Sequence, residues 1–365
     1  MEQIDEKMVL EEAVTTERFD LKSADWEQLS AYMNTLGEKA FRAKQIYEWM
    51  HVKHVSSIDE MTNLSKQLRE KLKQTCTFTV LKQLDVQISK QDGTRKYLFG
   101  LSDGNVIESV LMRYKHGNSV CISSQAGCRM GCRFCASTLD GLARSLTPAE
   151  MLEQIYRIGC DIGERISNVV VMGSGEPLDN YENLLVFIRM LTDVHGLNIS
   201  QRNLTVSTCG LVPRMRQLAD LQLQITLALS LHASSQEKRL TLMPIANKYE
   251  LSEVMDACDY YFEKTGRRMT FEYSLVGGVN DTDEDVEGLC RLLKGKNCHI
   301  NLIPVNPIKE RDYVQSERDT VEAFRRKLEQ QGINATVRRE MGRDIDGACG
   351  QLRKRHMDAM DTETT

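Results

Sequence analysis

From residue 120 almost to its end, the chain alternates short apolar runs with amphipathic helical segments, and this alternation restricts the fold more than any other feature. Val120–Ser123, Asn168–Met172, Leu204–Ser207, Gln224–Ser230, Met269–Leu275, His299–Pro304 and Ala335–Arg338 read as strands. Thr147-Pro148-Ala149-Glu150 opens a helix with a cap, a first-turn proline and a capping-box glutamate. Further helices are expected at about 251–264, 283–294 and 317–331. Repeated βα units mean parallel strands joined by right-handed crossovers. The count of units predicts an α/β fold built on a partial (β/α)6-type barrel. In barrels the chemistry gathers at the C-terminal ends of the strands. Those ends carry this sequence's unusual residues: Cys128 to Cys135, Gly175-Glu176, Ser207, Ser230-Leu231-His232 and Asn306.

Cys128, Cys132 and Cys135 are spaced C-x3-C-x2-C, just after the apolar run Val120-Cys121-Ile122. Three thiolates this close can hold three corners of a cubic 4Fe-4S cluster, leaving the fourth iron open to a small molecule. Gly127 and Gly131 let the backbone turn tightly around such a core. The alternative is a zinc knuckle, but zinc usually takes its ligands in two pairs, and the remaining cysteines are scattered singly. An open iron can hold the amino acid end of S-adenosylmethionine; electron transfer then splits a carbon–sulfur bond to give a 5′-deoxyadenosyl radical. Gly173-Ser174-Gly175-Glu176 suits the same ligand, since glycines allow close backbone contact and Glu176 can accept hydrogen bonds from an ammonium. Alone, the stretch reads equally as an ordinary βα turn with a capping glutamate.

The loop resembles that of the radical S-adenosylmethionine superfamily, and Gly-Ser-Gly-Glu-Pro-Leu-Asp-Asn at 173–180 resembles its glycine–glutamate motif. More narrowly, residues 19–355 resemble the RlmN/Cfr family of adenosine methyltransferases. The matching stretches include Phe41–Ile46, Met61–Ser65, Cys121–Gln125, Ser230–Ala233, Leu242–Ile245, Gly277–Asp281 and Asp344–Leu352. Two positions depart from the family pattern, Ser174 and Asp179, where a methionine and an apolar residue are commoner. The resemblance implies one cluster on Cys128, Cys132 and Cys135, and two molecules of S-adenosylmethionine per turnover. It implies cofactor contacts from Gly175, Glu176, Ser207, Ser230, Leu231, His232 and Asn306. It implies Cys349 as methyl carrier, Cys121 as the thiol that attacks it and forms a transient disulfide, and Glu108 as proton acceptor. The implied reaction is methylation of adenosine C2 in 23S rRNA and in some tRNAs, fed by a flavodoxin- or ferredoxin-type electron donor. Adenine C2 is electron-poor, so a polar donor cannot attack there while a radical can. Without these contexts Cys121 and Cys349 would read as small core residues. Cys76, Cys160, Cys209, Cys258, Cys290 and Cys298 lack such contexts and read as structural.

The rest of the chain frames this centre. Residues 1–18 are acidic and read as a disordered extension. Residues 19–76 show helical periodicity, with Trp26, Leu29, Met33 and Leu36, then Phe41, Ile46, Tyr47 and Met50, then Met61, Leu64, Leu68 and Leu72. Ser57 with Glu60 reads as a capping box. Lys44, Lys53, Lys66, Arg69, Lys71 and Lys73 decorate this module, either as a solvated face or as an RNA-binding one. Residues 77–115 change to period two, with strands expected at Thr77–Leu81, Lys96–Gly100 and Val106–Met112. Residues 116–350 form the barrel core and 351–365 a tail. Arg338, Arg339, Arg343, Arg353, Lys354 and Arg355 bracket Cys349 and can hold RNA phosphates. Eleven cysteines, odd in number and unevenly spread, point to a reducing cytoplasm. Neither a secretion signal nor a membrane span is visible, and nothing demands more than a monomer. Two other readings stay open: C8 methylation of the same ribosomal adenosine, as in Cfr, and a non-catalytic RNA-binding protein with structural zinc.

Overall fold

The computed structural model describes residues 18–307, 310–345, 350, 352, 353, 355 and 356. The acidic stretch 1–17 and Cys349 lie outside the described residues. Arg18, expected in the extension, is tied down: its Nη2 donates to the carbonyl of Gln74 at 2.8 Å.

Three helices follow: α1 (Trp26–Thr35), α2 (Ala40–His51) and α3 (Lys66–Thr75). Asp25 and Gln28 form a reciprocal capping box at the start of α1. Leu29, Met33, Ala43, Ile46, Tyr47, Met50, Leu68 and Leu72 point into one core with Met61 and Leu64. Phe41 breaks the expected stripe; it is 50% exposed, with the Arg42 guanidinium over its ring. The Ser57 cap also differs. Its hydroxyl accepts from the Asp59 N–H, while Glu60 reaches Ser56, because the turn at Ile58–Glu60 is a single 3-10 turn rather than an α-helix. Several basic side chains are already engaged: Lys53 with Glu48 and the Trp49 ring, Arg69 with the Asp59 carbonyl, Lys71 with the Leu36 carbonyl, and Lys73 with Asp59 and Glu70.

The main sheet has ten strands among the described residues. An antiparallel meander comes first: β1 (Lys82–Ile88), β2 (Arg95–Gly100), β3 (Val106–Tyr114) and β4 (Gly117–Ile122). Parallel strands continue from β4 through β5 (Ile166–Val171), β6 (Leu204–Thr208), β7 (Thr226–Ser230), β8 (Met269–Leu275), β9 (Cys298–Pro304) and β10 (Ala335–Val337). The crossovers carry α4 (Pro148–Ile162), α5 (Tyr181–Thr192), α6 (Val212–Asp220), α7 (Gln236–Leu242), α8 (Leu251–Thr265), α9 (Asp283–Leu293) and α10 (Arg318–Gln330). The sheet is therefore a partial barrel, open between β10 and β1.

The strand expected at Thr77–Leu81 is absent. Only Cys76–Thr77 pairs, with Phe19–Asp20, and β1 begins at Lys82. Phe78 packs on the helical core and Leu81 in the barrel core, so this stretch spans two separate cores and its alternation reflects both. The joint between them is polar. Lys22 Nζ reaches Glu153 Oε1 at 2.7 Å and the Val55 carbonyl at 3.1 Å, while the Leu81 N–H donates to Glu153 Oε2 at 3.2 Å.

Candidate active site

The cysteine loop leaves β4 through the short strand Gln125–Gly127, which pairs antiparallel with Leu142–Ser145. Gly127 and Gly131 both take positive φ, 77° and 70°. The loop is anchored from two sides. Arg129 pairs with Asp179, whose other oxygen accepts from Gln125 Nε2 at 3.1 Å. The Arg133 N–H donates to the Leu242 carbonyl at the end of α7, at 2.9 Å. Asp179 thus ties the loop from both sides.

A cavity of 520 Å³ opens at the C-terminal ends of the strands. Cys128, Cys132 and Cys135 line it together with Cys121, Gly175, Glu176, Ser207, Ser230, His232 and Asn306. Leu231 does not; its side chain is fully buried in the barrel core, and its backbone N–H donates to the Glu272 carbonyl at 3.0 Å. Glu108 also stands outside the lining. It sits on β3, 3.1 Å from the buried Lys96 amine, and accepts the backbone N–H groups of Gly350 at 2.6 Å and Arg353 at 2.5 Å. It anchors the segment that follows Cys349. A side chain at Gly350, where φ is 81°, would meet Ala136 Cβ at 2.8 Å, so this segment lies hard against the end of the cysteine loop.

The glycine–glutamate turn follows β5. Gly175 has φ 104°, and a Cβ there would come within 2.5 Å of Gln125 Cβ, so only glycine lets the two loops meet. Glu176 is buried; its Oε1 accepts from Leu178 N–H at 3.1 Å and its Oε2 from Cys209 N–H at 2.8 Å. Burial raises its carboxyl above the usual range against these hydrogen bonds. His232 has positive φ, 54°, and its Nδ1 accepts the Ser274 N–H at 2.9 Å, which places the ring proton on Nε2. Burial and the nearby Arg239 charge push its pKa down to about 3, so it stays neutral. Ser207 Oγ donates to the Val171 carbonyl at 3.2 Å.

Sequence reasoning missed Glu272 and left Cys209 as structural, yet both line the cavity. Glu272 is buried, accepts from Asn301 Nδ2 at 2.9 Å, and has its carboxyl raised by burial. Its signal was present: a lone carboxylate inside the apolar run Phe271-Glu272-Tyr273. Arg338, Arg339 and Arg343 line the rim, while Arg353 faces Asp140 at 3.5 Å and Arg355 faces Asp85 at 4.0 Å. Lys354 lies outside the described residues.

The arrangement fits a cluster and its organic cofactor. Among the described residues no His, Cys, Asp or Glu group converges as a single-ion site; the three loop thiols all line one cavity, and thiols are the donors that a 4Fe-4S core takes. Burial lifts the Cys128 thiol to about 12 and Cys132 higher still, so a metal held there would have to supply the driving force for deprotonation.

Residues 19–78 match the family model of the ribosomal RNA large subunit methyltransferase N-terminal domain, and residues 122–293 match the radical SAM superfamily. A probable dual-specificity RNA methyltransferase RlmN of Lachnospira eligens is 66% identical over 94% of this chain and 98% of its own length. The chain belongs to the RlmN family. The RlmN relative from Lachnoclostridium phytofermentans is 61% identical over 94% of this chain and 96% of its own length. A crystal structure of a radical SAM methyltransferase from Sphaerobacter thermophilus superposes with a TM-score of 0.87 at 40% identity, covering 91% of this chain and 98% of that one. The partial barrel is therefore that of a radical SAM methyltransferase, and the RlmN names leave the Cfr alternative unfavoured. Among the described residues no helix is long and apolar enough to cross a membrane.

Proposed function

We propose that this chain methylates C2 of an adenosine in 23S rRNA, and of the adenosine beside the anticodon in some tRNAs, from the cytoplasm and as a monomer. One observation carries the reading. Cys121, the three loop cysteines and Glu176 face one cavity, and Gly350, next to Cys349 in sequence, abuts the cysteine loop. Cys128, Cys132 and Cys135 would hold a single cluster, fed by a flavodoxin- or ferredoxin-type donor. That cluster, when bound, supplies the single electron that opens radical chemistry at an electron-poor ring carbon. Two molecules of S-adenosylmethionine would be used per turnover. Glu176 is placed to accept from an ammonium, and neutral His232 to donate from Nε2. Ser207, Ser230 and Asn306 complete the polar lining, with Leu231 holding the turn between Ser230 and His232. Cys349 would carry the methyl group as a thioether. Cys121 would then attack the Cys349 sulfur, forming a disulfide and expelling the product carbon. Glu108 would take a proton as it loosens its hold on the carrier segment.

The helical module 19–76, with its own apolar core and exposed Phe41, would dock RNA as an accessory domain. Residues 77–115 would extend the sheet of the 116–350 core, and Arg338, Arg339 and Arg343 would meet phosphates at the rim. An adenine buried in folded RNA must be splayed out to reach this cavity. The test is a product analysis. Anaerobically reconstituted protein, S-adenosylmethionine, reductant and unmodified 23S RNA should give 2-methyladenosine. A dominant 8-methyladenosine would reject C2 specificity. Cys349→Ala should abolish methylation while keeping full iron content, and retained activity would reject the carrier role.

A further inference from the structure

Arg239 lies on α7, behind the wall that carries the cysteine loop. It is 0% exposed and is the largest fully buried side chain among the described residues. Its Nη2 donates to the Cys209 carbonyl at 2.6 Å, while Nε and Nη1 meet no acceptor among the described residues. No carboxylate pairs with it among the described residues; its charge acts on the Cys209, Cys132 and Cys258 thiols and on neutral His232. An unpaired buried guanidinium is costly, and proteins keep one where a buried anion answers it. Its surroundings include the cysteine loop. Cys209 packs in one apolar cluster with Cys132, Phe134, Met130, Leu242 and Met243, and the cysteine loop is hydrogen-bonded to the last residue of α7. Arg239 does not line the cavity, so it touches no ligand there. It acts through the wall.

We propose that Arg239 is the fixed counter-charge of the iron–sulfur cluster and raises the cluster's reduction potential. This rests on the three-thiol cluster reading above. A cluster bound by three thiolates is anionic and gains one more negative charge on reduction. A buried positive charge in a low-dielectric wall stabilises the reduced form more than the oxidised one. Arg239 is a positioning residue in this sense: it touches no ligand and biases the electron through its charge.

The experiment compares wild type, R239K and R239Q after anaerobic reconstitution. Iron is counted first, and the potential is then measured by spectroelectrochemical titration without S-adenosylmethionine. We expect reduction of R239Q to be about tenfold less favourable, about 59 mV for one electron. R239K, which keeps the charge, should stay near wild type. Apo-R239Q should melt no lower than apo wild type, because it loses an unanswered charge. If wild type takes up no iron, the cluster reading itself fails. If R239Q is loaded and keeps the wild-type potential, the counter-charge role is overturned. Weakened S-adenosylmethionine binding at unchanged potential overturns it too, and hands Arg239 to the organic cofactor. Markedly lower apo melting of both variants makes it a structural brace and overturns it as well.

Discussion

Removing Lys22 should uncouple the helical module from the barrel. The Lys22 and Glu153 side chains are 1% and 0% exposed, with nitrogen and oxygen 2.7 Å apart. Breaking such a buried pair from one side costs about 3–5 kcal/mol. In Lys22→Met, Glu153 keeps the Leu81 N–H at 3.2 Å and Arg157 Nε at 3.3 Å, so the loss falls near the lower end, about 3 kcal/mol. In Glu153→Leu, the Lys22 amine keeps, among the described residues, the Val55 carbonyl at 3.1 Å, the Phe78 face at 4.3 Å and the more distant Asp20 charge, so the loss approaches about 5 kcal/mol. The double variant leaves neither charge stranded and should lose less than the sum by about 2 kcal/mol. Both tryptophans, Trp26 and Trp49, lie in the helical module, so fluorescence reads that module while far-UV circular dichroism reads the whole chain. With an m-value of about 1 kcal/mol/M for a unit this size, Lys22→Met should shift the fluorescence midpoint by roughly 3 M urea. It should part from the dichroism transition. Coincident transitions within about 0.5 M of wild type, or strictly additive single losses, would refute the reasoning.

Acid should loosen the same joint. Burial holds His51 near a pKa of about 3 and His54 near about 4, so both stay neutral in the fold but protonate near 6.5 once unfolded. Their stabilisation is complete above pH 6.5 and is lost as pH falls toward 4, by about 1.4 kcal/mol per unit for each; urea midpoints at pH 7, 6 and 5 check it. Glu108→Gln should remove the charge that faces the buried Lys96 amine and weaken the hold on the Gly350 and Arg353 N–H groups. Tryptic cleavage beyond residue 350 should then rise severalfold with iron content unchanged. Gly350→Val meets both a positive φ and Ala136, so it should cost about 1–3 kcal/mol and depress methylation while iron uptake, read by absorbance, persists.

What the sequence disclosed depended on the range of the cause. The α4 start was legible because Thr147 and Glu150 cap each other within one turn. The strand at Asn168–Met172 was legible because Val169-Val170-Val171 is an unbroken β-branched run; it appears at Ile166–Val171. The cysteine loop, Glu176, His232 and Cys121 came together in one cavity because strand ends in this fold converge. What failed was set by distant partners. Thr77–Leu81 alternates because it crosses between two cores, which no local pattern can distinguish from a strand. Phe41 keeps helical spacing yet faces solvent. Arg239 sits in Gln-Glu-Lys-Arg-Leu-Thr-Leu, which reads as a solvated helix face, and only the packed Cys209 turn shows the guanidinium to be inside.

The gap between β10 and β1 has a further consequence. It is spanned by two aspartates instead of a strand ladder: Asp344 accepts from Ser89 Oγ at 2.6 Å and Lys90 N–H at 2.8 Å, and Asp92 accepts from Gly342 N–H at 3.0 Å. Hydrogen bonds of a ladder break together, but a carboxylate clasp at a solvent-facing hairpin turn can unfasten one contact at a time. The wall beside the carrier segment is thus sewn with a seam rather than woven.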